Sequence, residues 1–203
     1  YADLYKLDPD TIKIARAREV MEYQMSTSKL DYWHWVDALY MVMPVMVKMY
    51  DITKNPLYLE KLHQYLTVTD SIMYDREVGL YYRDAKYPYP FHKTINGKKD
   101  FWSRGDGWAF AAFAKVLKQL PAEDKYREEY ITRFQTMAIS IAACQQPEGY
   151  WTRSLIDPEQ APGPETSGTA LFTYGFLWGI NNGLLNADIY SPIVEKAWNY
   201  LKT

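Results

Sequence analysis

The chain has 203 residues, about the size of one domain, with 48% hydrophobic and 24% charged side chains, which excludes a disordered chain. No apolar run reaches the roughly 18 residues needed to cross a bilayer, so no membrane partner is expected. Twenty-three Lys and Arg against 25 Asp and Glu leave a net charge of -2, which gives nucleic acid no basic surface to grip. A single cysteine, Cys144, excludes an internal disulfide, and His34, His63 and His92 are too scattered for a metal cluster; no metal or cofactor is predicted. The unusual feature is aromatic: 19 Tyr and 7 Trp, rings suited to helix packing and to stacking on sugar faces. The chain opens at Tyr1 without a secretory leader pattern. We expect a soluble mature product, trimmed chain or fragment, of bacterial cytoplasm or periplasm.

In chain order, a first helix is predicted from Asp10 to about Met25. Trp35 to about Tyr50 is almost wholly apolar, too long for a strand, and reads as a buried helix that Pro44 should kink. Asn55-Pro56 starts an amphipathic helix running to about Met73. Gly105 to Leu120 is again apolar and is stopped by Pro121; Asp124 to about Gln146 is amphipathic. Thr166 to about Asn182 is apolar, closed by Gly183, and Pro192 to Leu201 ends the chain. Apolar and amphipathic helices thus alternate three times at a spacing of about 60 to 70 residues, as inner helices covered by outer ones would. The stretches Gly79-Leu80-Tyr81-Tyr82-Arg83 and Gly149-Tyr150-Trp151-Thr152-Arg153 repeat glycine, aromatic positions and arginine at one spacing, and are expected to pair as short strands on one rim.

Chemistry in such an array belongs to the loops entering the inner helices, and three stand out. In Tyr32-Trp33-His34-Trp35-Val36-Asp37, Asp37 opens a buried helix, a costly place for a carboxylate without a role. The helix N-terminus favours its charged form and the neighbouring indoles its neutral one; a general acid needs burial to prevail. The alternative is a capping or salt-bridged aspartate, and His34 reads as a hydrogen-bonded structural histidine. In Trp102-Ser103-Arg104-Gly105-Asp106-Gly107-Trp108, Arg104 offers a planar fork for a carboxylate between two indole walls, or is tied to Asp106 or another acid. In Glu165-Thr166-Ser167-Gly168-Thr169 the polar side chains either cap the next helix or turn to the rim.

At these residues the sequence resembles glycoside hydrolase family 105 and its sister family 88, the unsaturated rhamnogalacturonyl and glucuronyl hydrolases. The resemblance rests on DYWHWVDALYMVMPV, FWSRGDGWAFAAFAKVL, EGYWTRSLIDP, ETSGTALFTYGFLWGINNGLL and a closing Y-x-P-I-V-x-K-A-W, in that order from about Leu30. It implies an all-α (α/α)6 toroid of about twice this length, of which residues 1–203 form one partial domain. That part is roughly the C-terminal half: three helical hairpins plus an N-terminal helix. It also implies removal, without metal or cofactor, of 4,5-unsaturated uronic acid from the non-reducing end of oligosaccharides left by polysaccharide lyases acting on pectin or rhamnogalacturonan. By motif, Asp37 matches the proton donor. Trp35, Arg83, Trp102, Arg104, Trp108, Thr166 and Ser167 are the substrate-binding candidates, Arg83 standing where other members present a histidine and Asp106 where asparagine is more usual. The family's second active-site aspartate lies upstream of the region matched here, so an open half-toroid is expected, with apolar helix faces covered by a second copy or by the N-terminal half. Two other readings remain: a carbohydrate-binding or interaction domain without catalysis, and an inverting glycosidase pairing Asp37 with Asp106 or Glu165 at roughly 6.5–9.5 Å.

Overall fold

A computed structural model describes residues 1–203. Its helices are α1 (Ala2–Leu7), α2 (Ile12–Ser26), α3 (Asp37–Thr53), α4 (Leu57–Met73), α5 (Ser103–Leu117), α6 (Arg127–Ala142), α7 (Thr166–Asn181) and α8 (Ala187–Leu201). A two-residue hairpin, β1 (Tyr74–Asp75) with β2 (Leu80–Tyr81), is the one sheet. The helices α3, α5 and α7 form an inner row in which α5 touches both neighbours, and α4, α6 and α8 lie behind them. This is the architecture of hairpins in an α/α toroid, and no helix is long and apolar enough to cross a membrane.

Burial grades along the row as the alternation of helices demands. The central α5 has 12 of its 15 residues buried, because protein surrounds it on every side. Phe110 on α5 stacks on Phe134 of α6 with centroids 4.4 Å apart and meets Phe176 of α7 edge-on at 5.2 Å. By contrast α3 and α7 are not enclosed all round: Met41, Tyr174 and Leu177 stay exposed, as do Leu4, Leu7 and Ile12 at one end of the array and Ile189 and Trp198 at the other.

Two local expectations need correction, at the first and the last helix. A short helix, α1, precedes the predicted first one. Pro44 lies within α3, which runs on to Thr53. Fully buried Leu39, Met43, Met46 and Val47 offset the roughly 3 kcal/mol that an interior proline costs. The last helix begins at Ala187, five residues before Pro192, because the Asn186 side chain caps it by accepting from the Asp188 amide at 2.8 Å.

The glycine–arginine repeat is real, but its two copies do not pair with each other. Gly79, at φ 79°, turns β1 back onto β2, with Tyr74 opposite Tyr81. The chain then returns to the start of its own inner helix: Trp35 bridges Asp84, and the Val36 amide donates to the Arg83 carbonyl at 3.0 Å. The second copy does the same, Trp102 bridging Ser154 and the Ser103 amide donating to the Arg153 carbonyl at 2.9 Å. Each return strand thereby satisfies an amide at a helix start that has no intrahelical partner. It also carries an arginine to the rim beside the first residues of α3 and α5.

Beneath the first return strand lies a buried polar clasp. Arg133 of α6 donates to Asp70 of α4 at 2.6 Å and to the Tyr81 hydroxyl at 2.7 Å, and that hydroxyl donates to Asp70 at 2.6 Å. The guanidinium lies 3.6 Å from the Tyr74 ring centroid.

Candidate active site

On the rim where the inner helices begin, Trp35, Asp37, Arg83, Trp102, Arg104 and Arg153 line an open cleft of about 420 Å³. The internal repeat explains the grouping. Trp35 and Trp102 each precede an inner helix, Asp37 and Arg104 sit in the first turns of α3 and α5, and Arg83 and Arg153 come from the two return strands.

Asp37 is half-buried, and its Oδ2 atom is enclosed without a hydrogen-bond partner. It is therefore neither a salt-bridged nor a side-chain-capping residue; among the described ion pairs and hydrogen bonds it makes none. With no protein partner on its carboxylate, Asp37 is uncommitted at the cleft it helps to line. His34 beside it is exposed rather than a buried structural histidine.

Three arginines line the same cleft, each paired with a carboxylate, but they differ in what they leave free. Arg83 is sandwiched between Trp35 at 4.7 Å and Tyr87 at 3.9 Å, and Nε and Nη2 both meet Asp84, at 2.9 and 2.8 Å. One edge of its fork is closed, and it serves largely as a flat stacked wall. Arg104 lies over the Trp102 ring at 4.3 Å and donates Nη1 to Glu165 at 3.3 Å, leaving Nε and Nη2 without protein partners. Arg153 donates Nη1 to both oxygens of buried Asp100, at 2.7 and 2.9 Å, and likewise keeps Nε and Nη2. Burial pushes Asp100 up, but the bonds from Arg153 and His92 outweigh it and hold the carboxyl below its ordinary range.

Glu165 resolves the third predicted loop. Its Oε2 accepts the Gly168 amide at 2.5 Å and caps α7, while Oε1 accepts from Ser167 and Arg104. The side chain reaches Arg104 because Gly168 lets α7 approach α5: a β-carbon there would stand 2.9 Å from the Ser103 carbonyl carbon. Capping and rim function coincide in Glu165, and Arg104 is tied to it rather than to Asp106.

Three predicted site residues fall outside the cleft lining. Trp108 packs on Tyr40 with centroids 4.5 Å apart, one helical turn beyond Arg104. Thr166 shares a hydrogen bond with the Tyr200 hydroxyl at 2.8 Å, on the side of α8. Ser167 donates to Glu165 and acts on the cleft only through it. Asp106 is fully buried, its Oδ1 accepting the Tyr81 amide at 2.8 Å and its Oδ2 unpaired. Burial raises its carboxyl well above the ordinary range, so it is neither a cleft acid nor a competitor for Arg104. Arg153 is the residue that reading motifs one by one misses; the Arg83–Arg153 repeat is the signal that would have found it.

Stacked α/α hairpins opening on an acid, arginine and indole cleft define a helical-toroid protein. Comparison with known proteins agrees. The model of glycosyl hydrolase family 88 matches residues 1–203, and the chain belongs to that family. An unsaturated 3S-rhamnoglycuronyl hydrolase of Formosa agariphila is 37% identical over 180 residues, covering 87% of this chain and 48% of that protein. A solved structure described as a polysaccharide lyase is 73% identical, with TM-score 0.98 over 100% of this chain and 57% of that one. A possible member of family 105 from Salmonella enterica serovar Paratyphi A shares the fold, with TM-score 0.82 at 22% identity, over 98% of this chain and 55% of that one. The chain therefore spans about half the length of the relatives it matches.

Proposed function

We propose that the natural protein removes 4,5-unsaturated uronic acid from the non-reducing end of lyase-generated oligosaccharides of the pectin or rhamnogalacturonan kind. Asp37 delivers its proton to C4 of the enol ether and then assists water in adding at C5. The hemiketal so formed opens and frees the next sugar. Arg104 grips the uronate carboxylate, and the Trp35 and Trp102 indoles wall the ring. The observation that carries this reading is that Asp37, whose carboxylate has no protein partner, lines one cleft with Arg104, whose Nε and Nη2 are unpaired. Further helical hairpins, consistent with the greater length of the relatives, would cover the apolar ends of the array.

The test is the ultraviolet absorbance of the double bond conjugated to its carboxylate. The full-length protein should bleach it, and Asp37→Asn should stop the bleaching with the fold intact; turnover by that variant would reject Asp37 as donor. The name given to the 73%-identical structure favours one competing reading, elimination rather than hydration. It has the opposite sign, since a lyase acting on a saturated chain creates that absorbance.

A further inference from the structure

A second polar cavity, of about 510 Å³, opens away from the cleft, between the β1–β2 hairpin and α6. Tyr74, Arg76, Glu129, Thr132, Arg133 and Thr136 line it. The four α6 residues stand at i, i+3, i+4 and i+7, one stripe of the helix, where a covered face would be apolar. The hairpin is fixed over this stripe by Ser140, which donates to the Val78 carbonyl, and by Gly79, where a β-carbon would stand 2.8 Å from Thr136 Cγ2.

Two cations meet there. Arg133 spends Nη1 on Asp70 and the Tyr81 hydroxyl and lies over the Tyr74 ring, which locks its guanidinium. Its Nε and Nη2 are neither paired nor enclosed and open on the cavity. Arg76 is unpaired, because the carboxylates on either side of it in sequence, Asp75 and Glu77, are both taken by Lys99 at 2.7 Å. Burial holds the Tyr74 phenol above its ordinary range against the pull of both arginines, so its hydroxyl keeps a proton to donate. The Thr132 and Thr136 hydroxyls donate back to α6 carbonyls at 2.9 and 2.8 Å and add no donors. One carboxylate of the lining opposes the cations: Glu129, half exposed and 3.9 Å from His63 Nδ1.

We propose that this cavity is a second, non-catalytic binding site, for an oxyanion: a carboxylate or sulfate ester on an acidic saccharide, or the free anion. The Nε–Nη2 edge of Arg133 meets two of its oxygens in parallel hydrogen bonds, and Arg76 and the Tyr74 hydroxyl complete the site from the hairpin. It uses none of the cleft residues and does not rest on the hydrolase reading.

The test is calorimetric titration of the full-length protein, at fixed ionic strength, with sodium sulfate, a saturated oligogalacturonate and a sulfated galactan oligosaccharide. At least one should bind. Arg76→Gln, at an exposed position that leaves the fold intact, should weaken that binding about tenfold or more, the worth of a charged hydrogen bond. Arg133→Lys, which keeps a cation for Asp70 without the fork, should weaken it as well. Glu129→Gln removes the opposing charge and should tighten it, and Arg104→Gln in the cleft should leave it unchanged. Sulfate binding as tightly as the sulfated oligosaccharide assigns the site to the free anion; tighter binding of either oligosaccharide assigns it to that acid on a saccharide. No binding by any probe, binding untouched by Arg76→Gln, or weaker binding by Glu129→Gln overturns the site. Arg76→Gln should bleach a short unsaturated uronide at the wild-type rate, and failure of the wild type to bleach it would sink the hydrolase reading alone.

Discussion

Replacing Asp106 by asparagine should make the protein progressively more stable than the wild type as pH rises. The carboxyl is wholly buried, has one bond, from the Tyr81 amide, and is held neutral far above the ordinary value of 3.8 by desolvation. The folded chain therefore keeps a proton that the unfolded chain releases above 3.8. A folded state that binds more protons loses stability as pH increases, from the unfolded value up to the point where the buried group itself titrates. For one proton the slope is about 1.4 kcal/mol per pH unit. Asparagine keeps the acceptor for Tyr81 and carries no titrating proton, so its curve lacks this slope. The difference between the two proteins should widen by up to about 1.4 kcal/mol between about pH 5 and about pH 6, for as long as the buried carboxyl keeps its proton. Urea unfolding of both proteins at those two values measures it. Parallel stabilities across that unit would show that Asp106 is ionised in the fold, and would refute its assignment as a neutral strut between α5 and the return strand that carries Arg83.

Two further substitutions test the frame behind the cleft. Arg133→Met leaves Asp70 buried without its cation and should lower unfolding free energy by about 3–5 kcal/mol at neutral pH. Burial already raises Asp70 and Arg133 partly offsets this, so the loss should shrink as pH falls and Asp70 becomes neutral; a pH-independent loss in chemical denaturation would contradict the pairing. Gly149→Ala places a β-carbon 2.3 Å from the Lys196 carbonyl oxygen at φ 98°, and should lower stability by about 2 kcal/mol or more. Gly163→Ala, with a similar φ of 96° but open space around it, should cost clearly less; equal shifts in melting temperature would show that α8 yields freely to the Gly149 turn.

By itself the amino-acid order determined the elements and their layers. The apolar stretches that became α3, α5 and α7 and the amphipathic ones behind them differ in periodic pattern, and an apolar helix surface must be covered wherever the chain supplies cover. Motif spacing likewise singled out Asp37, Trp35, Trp102 and Arg104, which line one cleft because all four occupy the first turn of an inner helix or the positions just before it. What only the tertiary structure decided is how polar side chains share partners across long sequence separations. Arg153 meets Asp100 from 53 residues away, and Arg104 meets Glu165 from 61. Whether a guanidinium fork faces a ligand or a neighbouring carboxylate depends on such meetings, which no local pattern encodes. The same holds for the residues that fall away. On α5, Asp106 turns into the core and Trp108 against Tyr40, while Arg104, two and four residues back, turns into the cleft, because side-chain direction is set by helix rotation against packed neighbours.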